Sequence, residues 1–68
     1  MNSALLKGKI VENSMTQTEV SQNIGISLSR FNAKLNNTGG AEFTLGEVRA
    51  LKELLNLDYT QVEKIFFS

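Results

Sequence analysis

The sequence contains no cysteine, histidine, proline or tryptophan. Without cysteine no disulfide can form, and without cysteine and histidine the usual zinc sites and the nucleophile–base pairs of hydrolases are excluded. Because proline is absent, no helix is interrupted by a residue that lacks a backbone donor. We therefore expect no metal site, no other cofactor and no enzymatic activity.

Long apolar segments are also missing. No uninterrupted run exceeds three apolar residues, as in Ile65-Phe66-Phe67, whereas a membrane span needs about 20. The first residues lack the apolar stretch of a secretory signal. Together with the lack of disulfides, this composition predicts a cytoplasmic protein without a membrane partner.

Neither sign of charge is in excess, since seven basic residues balance seven acidic ones. A net charge of zero weakens a nucleic-acid interpretation, because binding to phosphates is largely electrostatic. The charges are nevertheless uneven along the chain. From Ala41 onward five acidic residues outnumber three basic ones, whereas the segment before it has a small basic excess.

The 68 residues suit one domain, spanning 1–68, for which we predict five short helices. The first runs from about Ser3 to Glu12 and ends at Asn13-Ser14. Three later helices begin with a capping-box pattern, in which a capping residue is followed three positions on by Glu or Gln: Thr16 with Glu19, Thr44 with Glu47, and Asp58 with Gln61. No segment alternates long enough for a strand, so the predicted fold class is all-α.

Apolar residues at helical spacing predict the core. The residues expected to face inward are Leu6, Ile10, Val20, Ile24, Ile26, Phe31, Leu35, Leu45, Val48, Leu51, Leu54, Leu55, Leu57, Val62, Ile65 and Phe66. The segment 41–44 is predicted to be a short extended link.

Residues 16–37 carry the most informative pattern. Two helices of about two turns each flank Gly25, whose left-handed conformation is expected to end the first and send the second off at a steep angle. Ser27 is expected to cap the second helix. Ser21 supplies a small side chain where the two helices cross.

This stretch resembles the helix-turn-helix of the phage repressor and Cro family. The residues that carry the resemblance are Met15-Thr16-Gln17, Glu19-Val20, Ile24-Gly25-Ile26-Ser27, Phe31 and Leu35-Asn36; Glu42-Phe43-Thr44-Leu45 and Ile65-Phe66-Phe67 are similar to small Cro-like regulators of temperate bacteriophages. Ser21 stands where the family usually has Ala, and Lys34 where an apolar residue is common. These departures leave the rotation of the third helix open by part of a turn.

The resemblance implies a compact five-helix, lambda-repressor-like domain that works in the host cytoplasm. Its third helix, about residues 28–36, would enter the major groove of an operator in double-stranded DNA while the second lies across the backbone. The residues implied to contact DNA are Gln17, Ser27, Leu28, Ser29, Arg30, Asn32, Ala33, Lys34, Asn36 and Thr38.

Particular roles follow from side-chain chemistry. Asn32 suits an adenine edge, Arg30 a guanine or a phosphate, and Ala33 or Leu28 a thymine methyl group. Gln17 is matched to a phosphate contact. Other interpretations remain open at single positions: Ser27 is also explained as a helix cap, Gln17 as an ordinary surface residue, and Leu28 as a half-buried contact with the fourth helix.

Adjacent Phe66 and Phe67 cannot both face one core, so Phe67, with Ile65 or Tyr59, is a candidate partner surface, including one for a homodimer. The leading hypothesis is a sequence-specific transcriptional regulator that binds its operator as a dimer on two half-sites. The alternative is an antirepressor or co-repressor that binds a phage repressor, instead of DNA or together with it. Zero net charge and the few basic residues on the third helix favour that alternative.

Overall fold

Five α-helices and no strand make up residues 1–67, which are the residues that the computed structural model describes. The all-α prediction is therefore confirmed. The helices are α1, Ser3–Glu12; α2, Gln17–Ile24; α3, Leu28–Leu35; α4, Leu45–Leu54; and α5, Tyr59–Phe66, with a 3₁₀ turn at Thr38–Gly40. The longest of these helices have 10 residues, about half of what a bilayer crossing requires.

Side-chain caps set where the helices begin. Each side chain accepts a hydrogen bond from the amide three residues further on: Asn2 at α1, Thr16 at α2, Ser27 at α3, Thr44 at α4 and Asp58 at α5. The capping boxes predicted for α2, α4 and α5 are all complete. Since a cap contributes about 1 kcal/mol, local chemistry largely fixes these boundaries.

Asn37 is left-handed after α3 (φ 54°), and three other left-handed residues end helices with one common hydrogen-bond pattern. They are Ser14 after α1 (φ 57°), Gly25 after α2 (φ 82°) and Asn56 after α4 (φ 54°). At each end the next amide reaches the carbonyl five residues back: Met15 to Ile10 at 3.1 Å, Ile26 to Ser21 at 3.0 Å and Leu57 to Lys52 at 2.9 Å. This is the Schellman arrangement, and it turns each following apolar residue back toward the core.

Alanine substitutions at two glycines are expected to act in opposite directions. Chain neighbours apart, no described atom lies within 4 Å of a Cβ built on Gly25, so Gly25→Ala adds backbone strain of about 1–2 kcal/mol without a clash. Gly8 has the same free space inside α1, and Gly8→Ala should stabilise the protein by about 0.5–1 kcal/mol. Urea unfolding followed by circular dichroism measures both effects. Changes of the same sign would contradict the left-handed turn at Gly25.

The core forms between all five helices. Its buried apolar residues are Leu6, Ile10, Val20, Phe31, Leu35, Val48, Leu51, Leu55, Leu57, Val62 and Ile65. Ile24, Ile26, Leu54 and Phe66 pack against it but are only half-buried. The prediction that Leu45 faces inward is wrong, since Leu45 is 73% exposed. The core face of α4 is centred on Val48, Leu51 and Leu55, and Leu45 lies roughly a quarter-turn away from it.

Phe43, expected only as part of a link, contributes to the packing. Its ring centroid lies 5.7 Å from that of Phe31 and 5.9 Å from that of Phe66. The Phe43–Phe66 pair meets edge to face at 84°, a favourable arrangement of two aromatic quadrupoles. This row of rings joins α3 to α5 through the segment before α4.

Residues at both ends of α1 form hydrogen bonds with three of the other helices. The Asn2 amide donates to the Ile65 carbonyl at 2.6 Å, and the Ser3 hydroxyl donates to the Leu35 carbonyl at 2.5 Å. At the far end of α1, the Asn13 side chain donates to the Leu55 carbonyl at 3.2 Å. These bonds hold the C-terminal ends of α3, α4 and α5.

Candidate nucleic-acid interface

The turn between α2 and α3 controls how α3 is presented. Gly25 takes φ 82° and ψ 27°, and Ser27 is extended, with its Oγ accepting from the Arg30 amide at 3.2 Å. Ser21, predicted to be the small residue between the helices, is 1% exposed, and its hydroxyl donates to the Thr18 carbonyl at 2.8 Å. The hydroxyl is thus satisfied within its own helix.

One side of α3 is buried and the other is not. Phe31, Lys34 and Leu35 are buried. Leu28, at 39% exposed, and the neighbouring Ser29 and Arg30 are exposed. The N-terminal half of the helix therefore presents three consecutive side chains to solvent, immediately after the turn.

The remaining predicted contact residues lie before α3, further along it and beyond its C-terminal end. Asn32 and Ala33 are half-buried, and so is Gln17 at the start of α2. Ser27, Asn36 and Thr38 are exposed. Two of these polar groups have a helix-end role: Ser27 caps the start of α3, and the Thr38 hydroxyl donates to the Ala33 carbonyl at 3.3 Å.

Lys34 does not belong to the exposed set. Its side chain is 8% exposed, and its Nζ lies 2.5 Å from Oε1 and 2.7 Å from Oε2 of Glu47, which is 14% exposed. The prediction that Lys34 contacts DNA is therefore wrong for this structure. The ammonium replaces the apolar contact usual at such a position with an ion pair to α4.

Glu47 is held by several groups at once. Burial alone would raise the pKa of its carboxyl, but hydrogen bonds from Lys34 and from the Thr44 amide, with the attraction of the Lys34 charge, outweigh burial. The pKa of Glu47 therefore lies below its ordinary value of 4.5. The ionised form is the one that the fold binds.

Acidification is expected to remove the stability that Glu47 provides. Because its pKa is lowered by folding, this contribution is fully present above about pH 4.5 and is lost as the pH falls through the folded pKa. Glu47→Gln keeps the shape and the cap but does not titrate. The difference in free energy of unfolding between wild type and Glu47→Gln should be constant near neutrality and shrink below about pH 4.5; a difference unchanged down to about pH 3 would contradict the assignment.

Burial of Lys34 changes the electrostatics of the helix pair. In α2 and α3, which are described throughout, Arg30 is the one exposed cation, and Glu19 is an exposed anion. Any attraction to phosphates from these helices must come from Arg30, from backbone amides at the helix starts, and from neutral donors such as Gln17.

The predicted partner surface is only partly present. Ile65 is 0% exposed and cannot contact a partner, because α5 directs it into the core. Phe67 is 64% exposed and Tyr59 is 82% exposed. The Lys52 ammonium lies 4.8 Å from the centroid of the Tyr59 ring, a cation–π contact on a solvent-exposed site.

Phe67 belongs to an apolar groove that sequence reasoning did not identify. The groove has a volume of about 290 Å³, and its apolar lining comprises Met1, Phe43, Leu45, Val48, Phe66 and Phe67. Lys34, Asn37 and Glu42 complete it. It lies at the C-terminal end of α3, whereas Leu28, Ser29 and Arg30 lie at the N-terminal end of that helix.

Two features of this region left only weak signals in the sequence. Glu47 is fully explained as a capping residue, so nothing required a second role for it. The one indication was a lysine at a helix position where an apolar residue would be usual, since a buried cation needs a carboxylate partner. Leu45 and Phe67 gave no signal of proximity, because they are far apart in the chain.

No protein-family model, no curated protein and no solved structure matches this chain.

Proposed function

We propose that this protein is a sequence-specific DNA-binding transcriptional regulator in which α3 enters the major groove of double-stranded DNA. The observation that supports it is the uncovered N-terminal half of α3, where Leu28, Ser29 and Arg30 face solvent directly after the Gly25 turn. Phe31 and Leu35 are buried on the side of the same helix that faces away from Ser29. An exposed helix end that follows a tight turn is the geometry with which helix-turn-helix proteins read base edges.

The side chains on this end suit both base and backbone contacts. Arg30 can donate two hydrogen bonds to a guanine, and Asn32 can bond an adenine edge. Leu28 and Ala33 offer methyl groups to thymine. Gln17, Ser27 and the amides at the starts of α2 and α3 suit phosphate oxygens. Two copies, each placing one α3 in the groove, would read two half-sites.

The salt dependence of binding should be shallow. The logarithm of the binding constant falls with the logarithm of salt concentration by roughly 0.9 for each phosphate neutralised. With Arg30 as the exposed cation of α2 and α3, we expect a slope near about −1 to −2 per bound copy. Specificity must then come mainly from neutral polar and apolar contacts.

Selection from a pool of duplexes with a randomised centre tests the proposal. Wild-type protein should enrich a defined sequence, and Arg30→Ala should weaken binding to it about ten- to a hundredfold. Arg49→Ala, which removes an exposed arginine from α4, is the matched control and should have little effect. Failure to enrich any sequence, or amide shift changes confined to residues outside α2 and α3, would refute the proposal.

A second function is favoured by the apolar groove. In this alternative the protein is an antirepressor or co-repressor that binds a helix of a phage repressor through Phe67 and Leu45, with a basic residue of the repressor next to Glu42. The charge at the groove supports a basic partner, since Glu42 is exposed and Lys34 is already bonded to Glu47.

A phage repressor bound to its operator duplex is the probe for that alternative. Titration of the protein onto a repressor–operator complex should release or retain the repressor, and Phe67→Ala should abolish the effect. Tyr59→Ala, which removes another exposed aromatic ring that lies outside the groove, should leave it intact. If repressor occupancy of the operator is the same with and without the protein, this function is excluded.

A further inference from the structure

The Lys34–Glu47 pair joins the last turn of α3 to the first turn of α4. Both Nζ–O distances are short, at 2.5 and 2.7 Å, and both side chains are largely removed from water. Withdrawing two charges from water is costly, and neutral side chains of similar volume often serve stability equally well. Its contribution to stability therefore does not explain why such a pair should stand here.

Glu47 provides a fixed anchor for this pair. The Thr44 amide donates to Oε1 of Glu47 at 2.9 Å, and the Glu47 amide donates to the Thr44 hydroxyl at 3.1 Å. The same Oε1 also accepts from Lys34. The carboxylate is thus oriented by the first turn of α4, and the Lys34 ammonium is oriented by the carboxylate.

The other contacts of α3 define its rotation less sharply. Phe31 and Leu35 pack through apolar contacts, which are non-directional, and the Ser3 hydroxyl holds only the backbone at the end of the helix. Lys34 and Leu35 are adjacent and so differ by about 100° around the helix axis. Burial of Lys34 alone and burial of Leu35 alone would each favour a different rotation of α3. Burying both side chains selects a rotation between these two.

Release of Lys34 to water would change that balance. The inward face would then centre on Phe31 and Leu35, and α3 would turn by a fraction of the roughly 100° that separates neighbouring residues. This rotation carries Leu28 toward the core and Arg30 further into solvent. The side chains offered to a DNA groove would change although none of them had been mutated.

We infer that Lys34 and Glu47 are positioning residues, whose ion pair fixes the rotation of α3 and thereby selects the side chains that it presents. The consequence for DNA rests on the proposed function, whereas the rotation is a property of the free protein. The ion pair thus affects discrimination between DNA sequences, although neither of its side chains contacts a base.

The double variant Lys34→Ser/Glu47→Gln tests this inference, because serine is polar and too short to reach residue 47, so that neither an ion pair nor an apolar contact holds position 34 inward. It leaves no uncompensated buried charge, and glutamine still completes the cap of α4. Lys7→Met is the control, because it removes one positive charge from an exposed position of α1. Urea unfolding establishes that each variant is folded under the conditions used.

Two measurements separate positioning from stability. In the free protein, relaxation by a soluble paramagnetic agent should weaken at the Leu28 methyl groups and strengthen at the Arg30 side chain of the double variant. With a duplex enriched by wild-type protein, the ratio of affinities for that duplex and a scrambled one should fall about tenfold. Affinity for the scrambled duplex should stay the same, and Lys7→Met should leave the ratio unchanged.

The outcomes are distinguishable. Unchanged accessibility of Leu28 and Arg30 overturns the inference, whatever happens with DNA. A double variant that does not fold overturns it too, since the pair would then serve stability. A wild-type protein that enriches no duplex refutes the proposed function alone, because the rotation of α3 is still decided on the free protein.

Discussion

Phe31→Ala is expected to unfold most of the protein. Phe31 is 0% exposed, is the largest of the fully buried side chains among the described residues, and contacts the ring of Phe43. Truncating a buried phenylalanine costs about 3–5 kcal/mol. At about 0.05–0.15 kcal/mol per residue, a chain of 68 residues has a total stability of roughly 3–10 kcal/mol. The expected loss is therefore comparable to the net free energy of unfolding of the whole protein.

Equilibrium urea unfolding followed by circular dichroism measures this loss. Phe67→Ala removes the same ring from a position that is 64% exposed and should change the free energy of unfolding by about 0.5 kcal/mol or less. A Phe31→Ala protein that unfolds at nearly the wild-type urea concentration would mean that α3 is not docked through this ring.

Ser21→Leu is expected to have the second-largest effect. Ser21 is 1% exposed in α2, so the larger leucine side chain, which has about two more heavy atoms, has no free space to occupy. Overpacking of this kind costs about 1–3 kcal/mol. Because α3 packs against α2, the added volume should also displace α3.

Ser21→Ala is the matched control for volume. It removes a hydroxyl whose hydrogen bond goes to Thr18 in the same helix, and the backbone carbonyl that loses it keeps its helical role. We expect a change within about 0.5–1 kcal/mol. The free energies of unfolding of the two variants show whether volume or the hydroxyl matters at this position. Equal destabilisation would mean that loss of the hydroxyl, and not overpacking, causes the effect.

The helix boundaries could be predicted because they depend on residues close in the chain. A cap such as Thr16 acts on an amide three residues away, and the left-handed turn at Gly25 needs only its own backbone freedom. The capping box formed by Thr44 and Glu47 could be predicted in the same way. Local chemistry of this kind specifies most of the fold.

Contacts between distant segments were harder to predict. Lys34 and Glu47 are 13 residues apart and each has a local explanation, so the sequence alone does not pair them. The same limit applies to Phe43, which packs against α3 and α5, and to Ile65, where a one-residue difference in helix phase separates core from surface. The rotation of α3 was the uncertain quantity, and the ion pair resolves it.

The exposure of the candidate site could likewise be predicted from the sequence only in part. The exposure of Ser29 and Arg30 follows from the predicted inward direction of Phe31 and Leu35. Leu28 shares the side of Phe31 and Leu35, so its 39% exposure does not follow from their direction. The burial of Lys34 could not be predicted in this way, because a lysine at the edge of an apolar face usually keeps its ammonium group in water. Whether these side chains bind DNA stays a prediction until duplexes are tested.

The double use of Glu47, as cap of α4 and partner of Lys34, has a consequence for attempts to transplant specificity. Exchanging residues 28–35 for those of another helix-turn-helix protein would bring in a new α3 while leaving the receiving carboxylate unsatisfied. A chimera that retains Lys34, or that carries residues 28–47 as one cassette, keeps both ends of the bond. If the proposed function holds, the unit to transplant is α3 together with the first turn of α4.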